Sequence, residues 1–210
     1  MANPLTLPGD LVVPGNLRVA GTISPPLARS SVLAISELQT YTIPWTLWRV
    51  HDAMHTNLPG TAATDDLALI GGTFGTGVPS IQTLDFGGTT TTAYARVQIP
   101  LPGDYVAAQG VVLRFHAGAL TTLPDTTLTL DCECYLSGEE SLVSGADICA
   151  TAVQDIRSLT LADIDFTITA TTLSPGDLLD VRITIIGTDA GDLGVMTGCV
   201  GAAQLLCDVR

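Results

Sequence analysis

The sequence predicts an all-β chain: an antiparallel β-sandwich of the jelly-roll kind, preceded by an extended N-terminal arm of short repeats. Three observations predict it. Apolar and polar residues alternate strictly over several segments of the chain, the period of a half-buried strand. Turn signals recur every ten residues or so, and three of them share the form Pro-Gly-Asp, at 8–10, 102–104 and 175–177. The composition of 29 Thr, 21 Gly and 12 Pro suits strands and corners, not helices.

The arm comes first. Pro8-Gly9-Asp10-Leu11-Val12-Val13 is followed without a gap by Pro14-Gly15-Asn16-Leu17-Arg18-Val19, and Ala20-Gly21-Thr22-Ile23 begins a third, degraded copy. Each unit is a tight corner followed by a three-residue strand fragment, with Leu11 and Val13, then Leu17 and Val19, on one face. Such units cannot bury that face alone and need stacked copies or sister chains. Residues 1–26 are therefore assigned as an attachment arm, with Leu7, Pro8, Gly9, Asp10, Leu11, Val13, Pro14, Gly15, Asn16, Leu17, Val19, Gly21 and Ile23 as its contact residues. Ser24-Pro25-Pro26 is a stiff hinge, and residues 27–40 read as a linker or a short helix.

The body is assigned to residues 41–210. Residues 41–50 are rich in β-formers, with Pro44 marking an edge or bulge. Further strands are expected at 68–70, 81–86, 93–99, 105–108, 111–115, 126–136, 164–170, 179–185, 194–199 and 201–209. In the cleanest, Leu128, Leu130, Cys132 and Cys134 share one face. Leu179, Val181, Ile183 and Ile185 share another. Residues 150–156 are the best helical candidate. The last strand alternates like the interior ones, so it is expected to pair within a sheet.

Charge excludes several functions. Net charge is −13, and all eight basic residues are Arg. No basic stripe offers a nucleic acid or an anionic membrane a footprint. No apolar run approaches the ~18 residues of a membrane span. Residues 1–30 lack the basic and apolar regions of a secretory signal, so synthesis in the cytosol is expected. Only 14% of residues are charged and 46% are hydrophobic, which points to burial between subunits.

Candidate chemistry is sparse. His51 and His55 would share a face on a helix, but the metalloprotease pattern needs Glu where Asp52 stands. A loop role is preferred, and no metal is assigned. Cys132 and Cys134, two apart on a strand, read as buried small hydrophobes, as do Cys149, Cys199 and Cys207. The acidic pairs Asp65-Asp66 and Asp163/Asp165 fit no calcium loop and read as solvated carboxylates. Tyr41, Trp45 and Trp48 form the main aromatic concentration, as core, subunit contact or sugar platform. No phosphate loop, dinucleotide fingerprint or nucleophile elbow is present. No enzyme and no cofactor is expected.

The stretch GDLVVPGNLRVAGTI resembles the N-terminal Gly-Asp/Asn-Leu-x-Val-x-Gly segments of tailed-phage fibre and head-attached proteins, with Pro8 and Pro14 where many carry Thr or Ser. The body, with LSPGDLLDVRITI and AAQLLCDV, is similar to the jelly-roll domains of phage decoration and fibre-knob proteins. The resemblance implies a homotrimeric virion component, assembled in the host cytoplasm and docked through its arm on the major capsid protein or another shell subunit. It implies no catalytic residues. The alternative is a receptor- or carbohydrate-binding tail-fibre tip.

Overall fold

The computed structural model describes residues 38–86, 90–121, 127–137, 143–144, 146–189 and 196–209. The attachment arm and its thirteen contact residues lie outside the described residues, as does most of the linker.

The described chain forms two antiparallel sheets. Its strands are β1 (Gln39–Thr42), β2 (Arg49–Val50), β3 (Ala53–Asn57), β4 (Ala68–Ile70), β5 (Ser80–Gln82), β6 (Thr90–Pro100), β7 (Val111–Thr121), β8 (Thr127–Ser137), β9 (Val143–Ser144), β10 (Gln154–Asp155), β11 (Ala162–Ile168), β12 (Leu178–Thr188) and β13 (Met196–Cys207). The first sheet runs β11-β7-β13-β5-β4, with β1 also beside β13. The second runs β10-β8-β12-β6-β2-β3, with β9 beside β8.

Alternation builds the core. In the second sheet Ala93, Ala95, Val97 and Ile99 of β6, Leu128, Leu130, Cys132 and Cys134 of β8, and Leu179, Val181, Ile183 and Ile185 of β12 are all buried. They join one cluster with Val111, Leu113, Phe115 and Ala117 of β7, Phe166 of β11, and Val200, Ala203 and Leu205 of β13. Each long strand thus gives one face to the interior and keeps the other outside. The final strand is central, paired with β7 along its whole length and with β1 or β5 on its other side.

Four expectations need correction. Residues 41–50 are not one bulged strand. Pro44 ends β1, a 3-10 turn follows over Trp45–Leu47, and β2 belongs to the other sheet. A proline without an N–H is cheap at such a corner. Residues 105–108 form a turn, in which Tyr105 makes a single bridge to Val209 and Ala108 has φ of 59°. Residues 150–156 are not helical. A run that short cannot repay helix nucleation, and Gln154–Asp155 pairs with β8 instead. The last two strands are one, with a shift of register between Val200 and Ala202. Gly201 absorbs the extra residue.

Candidate functional site

The same alternation that fills the core sets polar residues on the outer face of the second sheet. There β6 presents Tyr94, Arg96 and Gln98, β12 presents Asp180 and Arg182, and β8 presents Asp131, Glu133 and Tyr135. The register places Glu133, Arg182, Arg96 and Arg49 in one row across β8, β12, β6 and β2.

Like charges opposite one another destabilise a sheet. Here Arg182 and Arg96 are turned to different carboxylates, and Arg49 donates to the backbone carbonyls of Thr46 and Trp48. Arg182 pairs with Glu133, its direct neighbour on β8. Arg96 reaches diagonally to Asp180, donating from Nε to Oδ1 at 2.6 Å and from Nη2 to Oδ2. Gln98 adds a long donor to the same carboxylate at 3.4 Å. The Asp180 carboxylate lifts the Arg96 pKa further, by hydrogen bonding more than by charge. The two-pronged Arg96–Asp180 pair fixes the planes of both groups.

Aromatic rings frame the row. The Arg182 guanidinium lies over the Tyr94 ring, 5.2 Å from its centre. The His51 ring stands 4.6 Å from the Tyr94 ring. Tyr135 donates its hydroxyl to Glu133 at 3.3 Å, and burial, followed by the Glu133 charge, pushes its pKa up. His51, Arg96, Tyr135, Asp180 and Arg182 line a depression of about 200 Å³. Arg182 Nε within it is shielded from solvent and has no hydrogen-bond acceptor.

Tyr41, Trp45 and Trp48 do not reach this depression. Trp48 is only 1% exposed and meets the Phe115 ring at 6.3 Å, so its ring belongs to the core. Burying the indole leaves Nε1 without an acceptor. Trp45 packs against Trp48 at 6.4 Å and, with Asn57, Leu58 and Leu69, borders a separate hollow. Tyr41 is 37% exposed on β1 and flanks an apolar groove with Ile43, Leu47 and Leu205.

Other candidates also find their places. His51 and Asp52 form the turn between β2 and β3, while His55 lies on β3, so no helix brings the two histidines onto one face. Asp163 and Asp165 are strand residues rather than loop carboxylates. Asp165 takes both prongs of Arg114 at 2.6 and 2.8 Å, and Asp163 meets His116 Nδ1 at 2.9 Å. Cys132, Cys134, Cys199 and Cys207 are buried, and all five cysteines are free. Cys149 hydrogen-bonds with Cys132, which raises the Cys132 thiol pKa and lowers that of Cys149. Seventeen residues separate them in sequence, so spacing carried no sign of this contact.

The polar row itself was missed. Its signal was present in the polar half of the alternating segments, where charged residues recur inside strands (Asp131, Glu133, Asp180, Arg182, Arg96).

No protein family matches the chain, and no curated protein does. Among solved structures the chain is similar to one described as the xylan-binding module CBM15, at 15% identity and a TM-score of 0.45, covering 82% of this chain and 99% of that one. It is also similar to a structure titled "Structural basis for the promiscuous specificity of the carbohydrate-binding modules from the beta-sandwich super family". That likeness has 12% identity and a TM-score of 0.36, and covers 68% of this chain and 54% of the other. Both likenesses concern the sandwich architecture alone.

Proposed function

We propose that the domain is a non-enzymatic binding module that takes a carbohydrate on the outer face of its second sheet. One observation carries this reading: Arg96 with Asp180 and Arg182 with Glu133 are pre-paired across three strands, and Arg96, Asp180 and Arg182 line a depression together with Tyr135. A sugar offers several hydroxyls that both donate and accept, and C–H faces that pack on aromatic rings. Carboxylates and guanidiniums held in fixed geometry answer the hydroxyls with little loss of side-chain entropy. The depression is below the ~300 Å³ of a drug-sized pocket, so it takes roughly one ring of a longer chain.

A glycan array followed by calorimetry with the strongest binder tests this. Arg182→Ala and Tyr135→Ala are each expected to weaken binding about tenfold, or ~1.4 kcal/mol, while Trp45→Ala leaves it unchanged. Absence of any saturable glycan binding, or binding that follows Trp45 instead, overturns the reading.

The repeat at residues 7–23 favours a second, compatible reading: a virion decoration or head-fibre subunit, homotrimeric, docked on shell proteins through its arm. The hexads have no means of closing a core by themselves. Deleting residues 1–24 is expected to leave a folded body that no longer co-sediments with particles. Light scattering that finds a monomer indifferent to those particles counts against it.

A further inference from the structure

A second site adjoins the depression, and it is built by segments that are distant in sequence. His51 and Asp52 sit at the turn after β2. Asp66 lies in the segment before β4, where it makes an isolated bridge to Tyr94 of β6. That segment is held by backbone hydrogen bonds on both sides of Asp66: Tyr94 N donates to Asp65 O at 2.9 Å, and Leu67 N donates to Tyr94 O at 2.9 Å. His51 is fixed from the other side by its ring contact with Tyr94 and by its carbonyl, which accepts from Arg96 at 3.5 Å. One β6 residue thus positions both partners.

The distance between them is informative. His51 Nδ1 and Asp66 Oδ1 face each other at 3.6 Å, too far for a hydrogen bond. Both atoms are shielded from solvent, and neither has a hydrogen-bond partner. Two shielded polar atoms left without a hydrogen bond are costly. Two ligands of one tetrahedral zinc ion, each at ~2.0–2.1 Å, stand roughly 3.3 Å apart. The gap is therefore long for a proton and close to right for a metal. Asp52 supplies a third donor, with a carboxylate oxygen within 4.8 Å of both others.

We propose that His51, Asp52 and Asp66 bind a divalent transition metal of the zinc class, with a fourth position left to water. An imidazole nitrogen with two carboxylates suits a borderline ion better than calcium, which takes six to eight oxygens. The ion neutralises the two carboxylates and locks the β2–β3 turn against β6. This inference does not rest on the carbohydrate reading, since metal uptake is measured with no sugar present.

The test is calorimetric titration of the chelator-treated full chain with zinc chloride, with calcium chloride as comparison. One equivalent of zinc per chain is expected, with calcium at least about tenfold weaker. Asp66→Asn and Asp52→Asn, each checked for native circular dichroism, should each lose at least about tenfold in zinc affinity. His55→Ala and Cys149→Ser should lose nothing. Cobalt in place of zinc should give the visible bands of a four-coordinate ion without a thiolate-to-metal band. No stoichiometric zinc, zinc affinity indifferent to Asp66→Asn, or a thiolate band that vanishes in Cys149→Ser would each overturn the assignment.

Discussion

Arg96 on β6 and Asp180 on β12 are joined diagonally, one pleat out of register, by a two-pronged ion pair whose carboxylate is 5% exposed. The residue directly opposite Arg96 is Arg182, a like charge. The diagonal is what lets two arginines share adjacent strands, because each finds its own carboxylate.

Removing one member of that pair strands the other. Asp180→Ala is expected to destabilise the domain by about 2 kcal/mol, below the ~3–5 of a wholly buried pair. The discount reflects Arg96, whose side chain is 28% exposed and can recruit water. Urea unfolding of the variant and of Asp180→Asn measures it. Asp180→Asn should cost less, since its amide oxygen still accepts from Arg96.

Trp48→Ala should act on stability and not on recognition. Its ring fills the space beside Phe115, and excising it costs ~3–5 kcal/mol. Thermal unfolding reads the loss. Ligand affinity at a temperature where the variant remains folded should match the parent, in contrast to Tyr135→Ala.

Gly198 on β13 faces the interior. A Cβ there would sit 2.8 Å from Ile185 Cγ2 and 3.1 Å from Leu128 Cδ1. Gly198→Ala is expected to cost ~1–3 kcal/mol by overpacking. Ile185→Ala removes the Cγ2 methyl that the new Cβ would meet, so the double variant should be less destabilised than the two single losses added together. Denaturant midpoints of the three proteins give the coupling.

Alkaline conditions should unfold the domain from the end where Tyr105 and Cys207 lie. Burial pushes Cys207 from 9.0 up to about 11 and Tyr105 from 10.0 up to about 12. Both groups ionise more readily in the unfolded chain. Their contribution is complete below about pH 9 and is lost as pH rises through 11 and then 12. Denaturant midpoints followed across that window should fall. Cys207→Ser should blunt the lower part of the fall.

Much of this fold could be read before any coordinates. The inward faces of β8 and β12 follow from alternation, because a residue of the wrong polarity at Leu130 or Ile183 would be buried without a partner. The paired final strand follows in the same way. What alternation could not give was pairing between strands, and the candidate site depends on that. Asp180, Arg96 and Glu133 are far apart in sequence, and only the register brings them within reach of one another. Asp66 meets His51 because both are hung on Tyr94, a relation with no local signal. Pro44 misled for a different reason: a proline at a strand edge and a proline at a corner between sheets look alike in sequence. Trp48 was placed with Tyr41 and Trp45 by proximity along the chain, whereas the 3-10 turn rotates it into the core.

Gln39 pairs with Cys207, so the chain enters β1 and leaves β13 side by side. A pull applied across these two points would not shear the sandwich. It would unzip β1 from β13 one residue pair at a time, from Gln39↔Cys207 towards Thr42↔Gln204, while the interior between the sheets bore little of the load. The domain should therefore yield first at this seam, at low force, and the long pairing of β13 with β7 should survive that first step. For the same geometric reason, a short peptide bridging these neighbouring points, with new ends opened at an exposed turn, should give a circularly permuted chain that keeps both sheets.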